Sequence, residues 1–181
     1  MRLIGSTAAA LLAGVLLVSV PLQAQSVGFS LGGGVAVPLG TYDEVAKLGW
    51  QGTAGFSYAG DEAPFGLKVD GTYARFSDET PLDINSQLIF GTANLVYRLQ
   101  SSSEAWVRSY LLGGGGIYNL KAVGDDAFEG SSTDFGVNVG AGLEFGGRGA
   151  GLFVEARWHN VFLEGDNLKV LPITLGFRFG T

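Results

Sequence analysis

Glu155, Arg157 and His159 stand at i, i+2 and i+4, the spacing that sends three side chains to one face of an extended strand. A carboxylate, a guanidinium and the chain's single histidine are groups that pair charges, relay protons or act as acid and base. Lys68, Asp70, Arg98, Glu144 and Arg178 occur singly in other apolar stretches, on faces otherwise built of glycine, serine, threonine and asparagine. Charges inside a protein need partners, so these eight residues are expected to form one paired polar network that fills an interior. The alternative use of such a network is a path for protons or ions. Nucleophilic catalysis would need a serine or similar group beside the histidine. Glu155 shares the face of His159, but no convincing Ser–His pairing accompanies it, so no catalytic residue is expected. The absence of cysteine removes thiol nucleophiles, disulfides and zinc–thiolate sites. Neither a cofactor nor a resident metal is implied.

These residues must be held by some framework, and the framework is legible as alternation of period two rather than as helical periodicity. Phe135, Val137, Val139, Ala141, Leu143 and Phe145 alternate with Asp134, Gly136, Asn138, Gly140, Gly142 and Glu144. Stretches 27–37, 50–58, 65–76, 152–162 and 172–179 repeat the pattern, and 86–99 does so with Leu88, Phe90 and Val96 intruding on its minor face. Residues 106–118 are glycine-rich and apolar on both faces; Tyr110 and Leu112 are assigned outward. The expectation is eight strands, most near the length of about 9–11 residues that crosses a bilayer when tilted. Long connections at 38–48, 77–85, 119–132 and 163–171 alternate with short ones at 59–63, 100–105 and 146–150. Such alternation suits an up-and-down barrel with tight turns on one side and longer loops on the other.

Eight antiparallel strands also build soluble barrels, so the decisive question is which face is wet. The minor face is too small and too lightly charged to coat a soluble barrel, yet it suits a narrow bore that side chains fill. The bulkier face is aliphatic in mid-strand and aromatic at its ends. Trp50 and Tyr58, Phe65 and Tyr73, and Phe135 and Phe145 bracket three strands, with Tyr97, Trp158, Phe162 and Phe179 on others. These ten residues are expected to form the aromatic girdles of a membrane barrel. Arg75 and Arg108 are assigned to the outward face near strand ends, where long side chains reach polar headgroups.

Composition narrows the rest. With 46% hydrophobic residues, 30 glycines and a formal charge of −6 over 181 residues, disorder is excluded, and no clustered basic face suggests nucleic acid. Residues 1–24 read as a signal peptide: Met1-Arg2, an apolar run from Ala8 to Val20, and a small residue, Ala24, before the expected cut. Residues 25–181 would then be the exported domain. Ten acidic residues of the long loops (Asp43, Glu44, Asp78, Glu79, Asp83, Asp125, Asp126, Glu129, Glu164 and Asp166) outnumber Lys47, Lys121 and Lys169. A divalent cation or a basic extracellular partner is a candidate there, although no calcium-loop spacing is present. Thr41-Tyr42-Asp43-Glu44 matches a helix capping box in the first of these loops.

Four stretches carry a resemblance: Gly32-Gly33-Gly34 running into Pro38-Leu39-Gly40-Thr41-Tyr42 and Gly49, the glycine string from Tyr110 to Tyr118, Phe153-Val154-Glu155-Ala156-Arg157-Trp158, and Ile173 to Phe179. Together they resemble the bacterial outer-membrane β-barrel family, the small OmpA/OmpX-type barrels. The resemblance implies an all-β, eight-stranded antiparallel transmembrane barrel in the outer membrane, contact with outer-membrane lipids, and recognition by the barrel-assembly machinery. In this family the chain often ends on an aromatic, whereas here Gly180-Thr181 follow Phe179. The functional expectation is a structural or surface-interaction protein. A narrow pore or transporter for small solutes, or a barrel-type lipid-modifying enzyme, is the alternative.

Overall fold

The computed structural model describes residues 25–40, 47–60, 64–77, 85–99, 106–123, 130–147 and 149–180. The expected signal segment 1–24, the capping box and the acidic residues 43, 44, 78, 79, 83, 125, 126 and 129 lie outside them. Eight strands follow one another: β1 (Gln25–Leu39), β2 (Gly49–Gly60), β3 (Phe65–Ser77), β4 (Asn85–Arg98), β5 (Val107–Val123), β6 (Gly130–Gly146), β7 (Ala150–Val161) and β8 (Leu168–Gly180). Each pairs antiparallel with its neighbour in sequence, and β8 returns to β1, so the sheet closes on itself and has no edge.

Alternation decides the facing throughout. Val139, with its aliphatic and aromatic companions Phe135 and Leu143, points outward at 56% exposure, while Asn138 beside it is 4% exposed inside. The soluble arrangement, with the greasy residues around a central hollow, is therefore absent. One end of the barrel holds Gln25, Gly180 and the strand ends that are joined between β2 and β3, β4 and β5, and β6 and β7; we call it the turn end. The other, the loop end, holds the strand ends that are joined between β1 and β2, β3 and β4, β5 and β6, and β7 and β8. The connection between β5 and β6 is shorter than the expected 119–132, because these strands each run for 17 residues and carry pairing out to Ala122 and Gly130. The long–short contrast is also weaker at 99–106. In the tightest connection, Gly146 and Gly149 take φ of 120° and 95°, where a side chain would be strained.

β5 corrects the sequence reading. Tyr110 and Leu112 are buried inside the bore at 6% and 2% exposure, and Leu111 and Ile117 face outward instead. Arg108 moves inside with them and lies within ion-pair range of Glu144. Arg75 does face outward, beside Trp50 in the register. The apolar intruders of β4 have a reason as well. Leu88 and Phe90 join Ala36, Ala74, Phe76, Tyr118, Val161, Leu168 and Val170 in one apolar cluster that stops the bore at the loop end.

Inward glycines explain how a narrow bore accepts large side chains. A Cβ at Gly142 would collide with the ring of Tyr110, and one at Gly136 would meet the ring of Tyr118 at 2.7 Å. Gly32 and Gly176, opposite each other across the β1–β8 seam, leave room for the ring of Phe153; Gly28 and Gly180 face each other further along it. Gly142, Gly136, Gly32 and Gly176 are thus sockets for bulky rings of other strands. Gly142→Val should therefore overpack the bore and destabilise the barrel by about 1–3 kcal/mol, read by urea unfolding of the refolded protein. An unchanged midpoint would mean that Tyr110 is not fixed against Gly142.

Candidate functional site

The bore has three layers, set by which residues the inward-facing positions of the strands contribute. At its centre four charges meet. Lys68 Nζ donates to Glu155 Oε2 at 2.9 Å and lies 3.4 Å from Asp70 Oδ1. Arg157 binds Asp70 Oδ2 at 2.8 Å and Glu155 Oε1 at 2.6 Å. Because β3 and β7 are four strands apart in a ring of eight, the Lys68–Glu155 and Asp70–Arg157 pairs run straight across the bore. Two positive and two negative charges sum to zero, which is what burial at this depth requires.

Polar neighbours complete the shell. Tyr110 donates its hydroxyl to Glu155 Oε2 at 2.7 Å. Asn94 Nδ2 reaches Asp70 Oδ2 at 3.2 Å and Thr92 Oγ1 at 3.0 Å. Gln51 Nε2 donates to Thr174 Oγ1 at 2.6 Å, closing the other side of this layer. Glu155 thus meets Lys68, Arg157 and Tyr110, from three different strands, and is the hub of the layer.

Above it, towards the loop end, His159 is 1% exposed, and its Nδ1 shares a 2.7 Å hydrogen bond with the Tyr118 hydroxyl. Phe90 stacks on Tyr118 with centroids 5.0 Å apart and presents an edge to His159 at 5.1 Å. The histidine is thereby sealed under the apolar stopper rather than held at a surface. Below, towards the turn end, Glu144 Oε2 lies within ion-pair range of Arg108 Nε at 3.5 Å and of Arg178 Nε at 3.4 Å, and Arg178 Nε makes no hydrogen bond. Arg98 lines the same opening.

The eight residues singled out from the sequence therefore fall into three groups and not one. Lys68, Asp70, Glu155 and Arg157 are directly paired. Arg98, Glu144 and Arg178 lie at the turn-end mouth, and His159 lies on the far side of the centre. Tyr110 and Tyr118 belong to the interior and were missed, while Thr92 and Asn94, on the polar face of 86–99, join the network without having been singled out. Treating Arg108 like the other strand charges would have found the first two, since an inward Arg108 forces Tyr110 and Tyr118 inward by period two. Among the described residues no group of acidic, histidine or cysteine side chains is arranged to hold a metal ion.

On the outer surface, Trp50, Tyr73, Phe135, Trp158 and Phe162 lie towards the loop end, and Tyr58, Phe65, Tyr97, Phe145 and Phe179 towards the turn end. Several pair across strands: Trp50 with Tyr73 at 5.4 Å, Phe65 with Tyr97 at 5.1 Å, and Phe135 with Phe162 at 6.3 Å. Trp106 against Phe145, and Phe29 against Phe56, extend the set beyond the residues picked from the sequence.

Comparison with known proteins adds two findings. Residues 8–179 match the family described as outer membrane protein beta-barrel domain. Among solved structures, the chain is similar to neisserial surface protein A, at 13% identity and a TM-score of 0.62, with 86% of this chain and 96% of that one covered. A major outer membrane protein from Thermus thermophilus is similar at 13% identity and 0.63, over 86% and 99%. The outer membrane enzyme PagL is similar at 19% identity and 0.52, over 84% and 98%. At these identities the likeness is one of fold. No curated protein matches the chain in sequence.

Proposed function

Since this chain belongs to the outer-membrane β-barrel family, we propose that it is a closed structural barrel that meets its surroundings through its loop end, and neither a pore nor an enzyme. It is an integral protein of the outer membrane. The observation that carries the closed reading is the pair of salt bridges across the diameter of the bore, Lys68 to Glu155 and Arg157 to Asp70, under an apolar stopper. A solute would have to break both before reaching that stopper.

The rest of the reading follows from the solvent. Hydrocarbon satisfies no backbone N–H or C=O, so a spanning sheet must close. The outward aromatics at the two ends are taken as girdles at the two interfaces, and the loop end as the external one. Residues 1–24 serve as the export signal, and outward Phe179 near the end of β8 is the aromatic offered to the assembly machinery. The external surface, including exposed Glu164 and Asp166, would receive a divalent cation or a basic partner. Burial of His159 against Tyr118 and Phe90 supports a structural histidine rather than a catalytic one.

Planar-bilayer recording tests the reading. The folded protein, identified by its heat-modifiable migration, should give no sustained current steps, and Lys68→Ala with Glu155→Ala should raise the frequency of openings. Regular ohmic steps from the unaltered protein would favour the pore.

A further inference from the structure

The sheet has no edge where all eight strands run together, but at the loop end β6 continues past β7. Its pairing with β5 reaches Gly130, whereas its pairing with β7 stops at Gly136 and Val161. One further bond, from Phe162 N–H to Phe135 O at 3.0 Å, closes that side. The connection from β7 to β8 is described throughout and bends over 164–166, with Gly165 at a φ of 112°. Among the described residues, nothing pairs with the β6 backbone beyond Phe135 on this flank. The direction of the free groups follows from period two. Gly146 N–H donates to Trp106 O, so even-numbered residues of β6 turn their backbone towards β5; Phe135 O, bonded to Phe162, shows that odd-numbered ones turn away from it. Ser131 and Thr133 therefore present their N–H and C=O groups along an open edge.

Ser131, Ser132 and Thr133 are exposed, and the ribbon is held from its other side. Asn119 Nδ2, on β5, reaches Thr133 Oγ1 at 2.8 Å, Ser132 O at 3.1 Å and Ser131 Oγ at 3.2 Å. A rigid open edge is a template for another strand. Its surroundings are acidic. Asp134 Oδ2 is buried and accepts no hydrogen bond, and Glu164 and Asp166 are exposed on the connection that follows β7. The loop-end stretches outside the described residues, 41–46, 78–84 and 124–129, contain no lysine or arginine, so they bring no compensating cation. With Asp134, the loop carboxylates named from the sequence number eleven, against Lys47, Arg75, Lys121 and Lys169. A second copy does not fit the edge. Two barrels side by side in one membrane are related by an axis along its normal, and strands tilted by about 35–45° would cross at about twice that angle instead of lying alongside.

We propose that the open edge of β6 at Ser131 and Thr133 is a docking site for an extended segment of a partner polypeptide that carries lysine or arginine and adds to the sheet as a strand. Main-chain hydrogen bonds to Ser131 and Thr133 hold the segment, and a cation on its inner face lies beside Asp134. The site deepens the surface-interaction reading and rests on it for the side of the membrane from which the partner comes. The edge itself does not depend on whether the bore conducts.

The test uses the refolded full barrel in zwitterionic micelles and a synthetic peptide of alternating threonine and lysine, which places all its cations on one face of a strand. Millimolar peptide should shift the Ser131 and Thr133 amide resonances and slow their hydrogen exchange. The same peptide methylated on alternate backbone nitrogens should bind at least about tenfold more weakly, since it lacks the donors. Glutamate in place of lysine should weaken binding as much, and Asp134→Asn should weaken the lysine peptide by about threefold to tenfold. Thr133→Pro removes an N–H that faces the partner and not β5, so it should abolish binding in a barrel that still shows heat-modifiable migration. Absence of these shifts, equal binding of the methylated peptide, or equal binding of the glutamate peptide would each overturn the proposal. A cross-linked dimer that Thr133→Pro abolishes would give the edge to a second copy and overturn it as well. Current steps from the unaltered barrel would remove the closed bore and leave the peptide result standing, so the two readings fail separately.

Discussion

Glu155→Ala is expected to lower the unfolding free energy of the refolded barrel by about 3–5 kcal/mol, the cost of breaking a buried ion pair on one side only. The size follows from what is left behind. Lys68 and Arg157 would share the single carboxylate of Asp70, and Tyr110 would lose the acceptor of its hydroxyl. A balanced removal behaves differently. Lys68→Met together with Glu155→Leu leaves Arg157 and Asp70 as a neutral pair at 2.8 Å, and buried pairs replaced by apolar groups often cost little. The double variant should therefore recover most of the loss, a non-additivity that urea titration of the unaltered protein, Lys68→Met, Glu155→Leu and the double variant measures as a coupling energy. A loss below about 1 kcal/mol for Glu155→Ala would place the cluster in water, and the closed bore would go with it.

Val139→Arg carries the second large effect. Val139 lies mid-strand in β6 on the outward face, and an arginine at the bilayer midplane costs about 2–4 kcal/mol. Ser131, also exposed on β6 but near the loop end, gives the control: near an interface the same side chain costs about 0–1 kcal/mol. Unfolding from phospholipid vesicles should separate the two substitutions by at least about 1 kcal/mol. Equal costs at the two depths would mean that this face does not lie in hydrocarbon.

How much of this was readable beforehand depends on the strand. From Phe135 to Phe145 of β6 large and small residues alternate without interruption, and from Val154 to His159 of β7 apolar residues alternate with ionisable ones, so the facing of these strands and the position of Glu155, Arg157 and His159 on one inward face follow from period two. In β5, Leu111 and Leu112 are equally greasy and four glycines in a row, Gly113 to Gly116, give no preference. Facing there is fixed by what each residue meets: Tyr110 finds Gly142 and Glu155, and Tyr118 finds Gly136 and His159. Those are pairings between strands that no local pattern contains. The same limit explains why one expected network resolves into three layers. Spacing along a strand says which side a charge takes, whereas its height in the bore depends on strand stagger. The apolar stopper was hidden for a related reason, since Leu88 and Phe90 break the alternation of β4 unless the bore is allowed to turn greasy at one end.

The seam between β1 and β8 governs how the molecule must assemble. Seven of its eight strand pairings join neighbours in sequence, so hairpins can form one after another with short searches. The eighth joins the two extremities of the domain, and until it forms two rows of backbone amides and carbonyls have no partners in the lipid. Opposed glycines at 28 and 180 and at 32 and 176 let the extremities approach with little to interdigitate. Closure is thus late, slow and all-or-none, and an almost finished cylinder has no resting place in the bilayer.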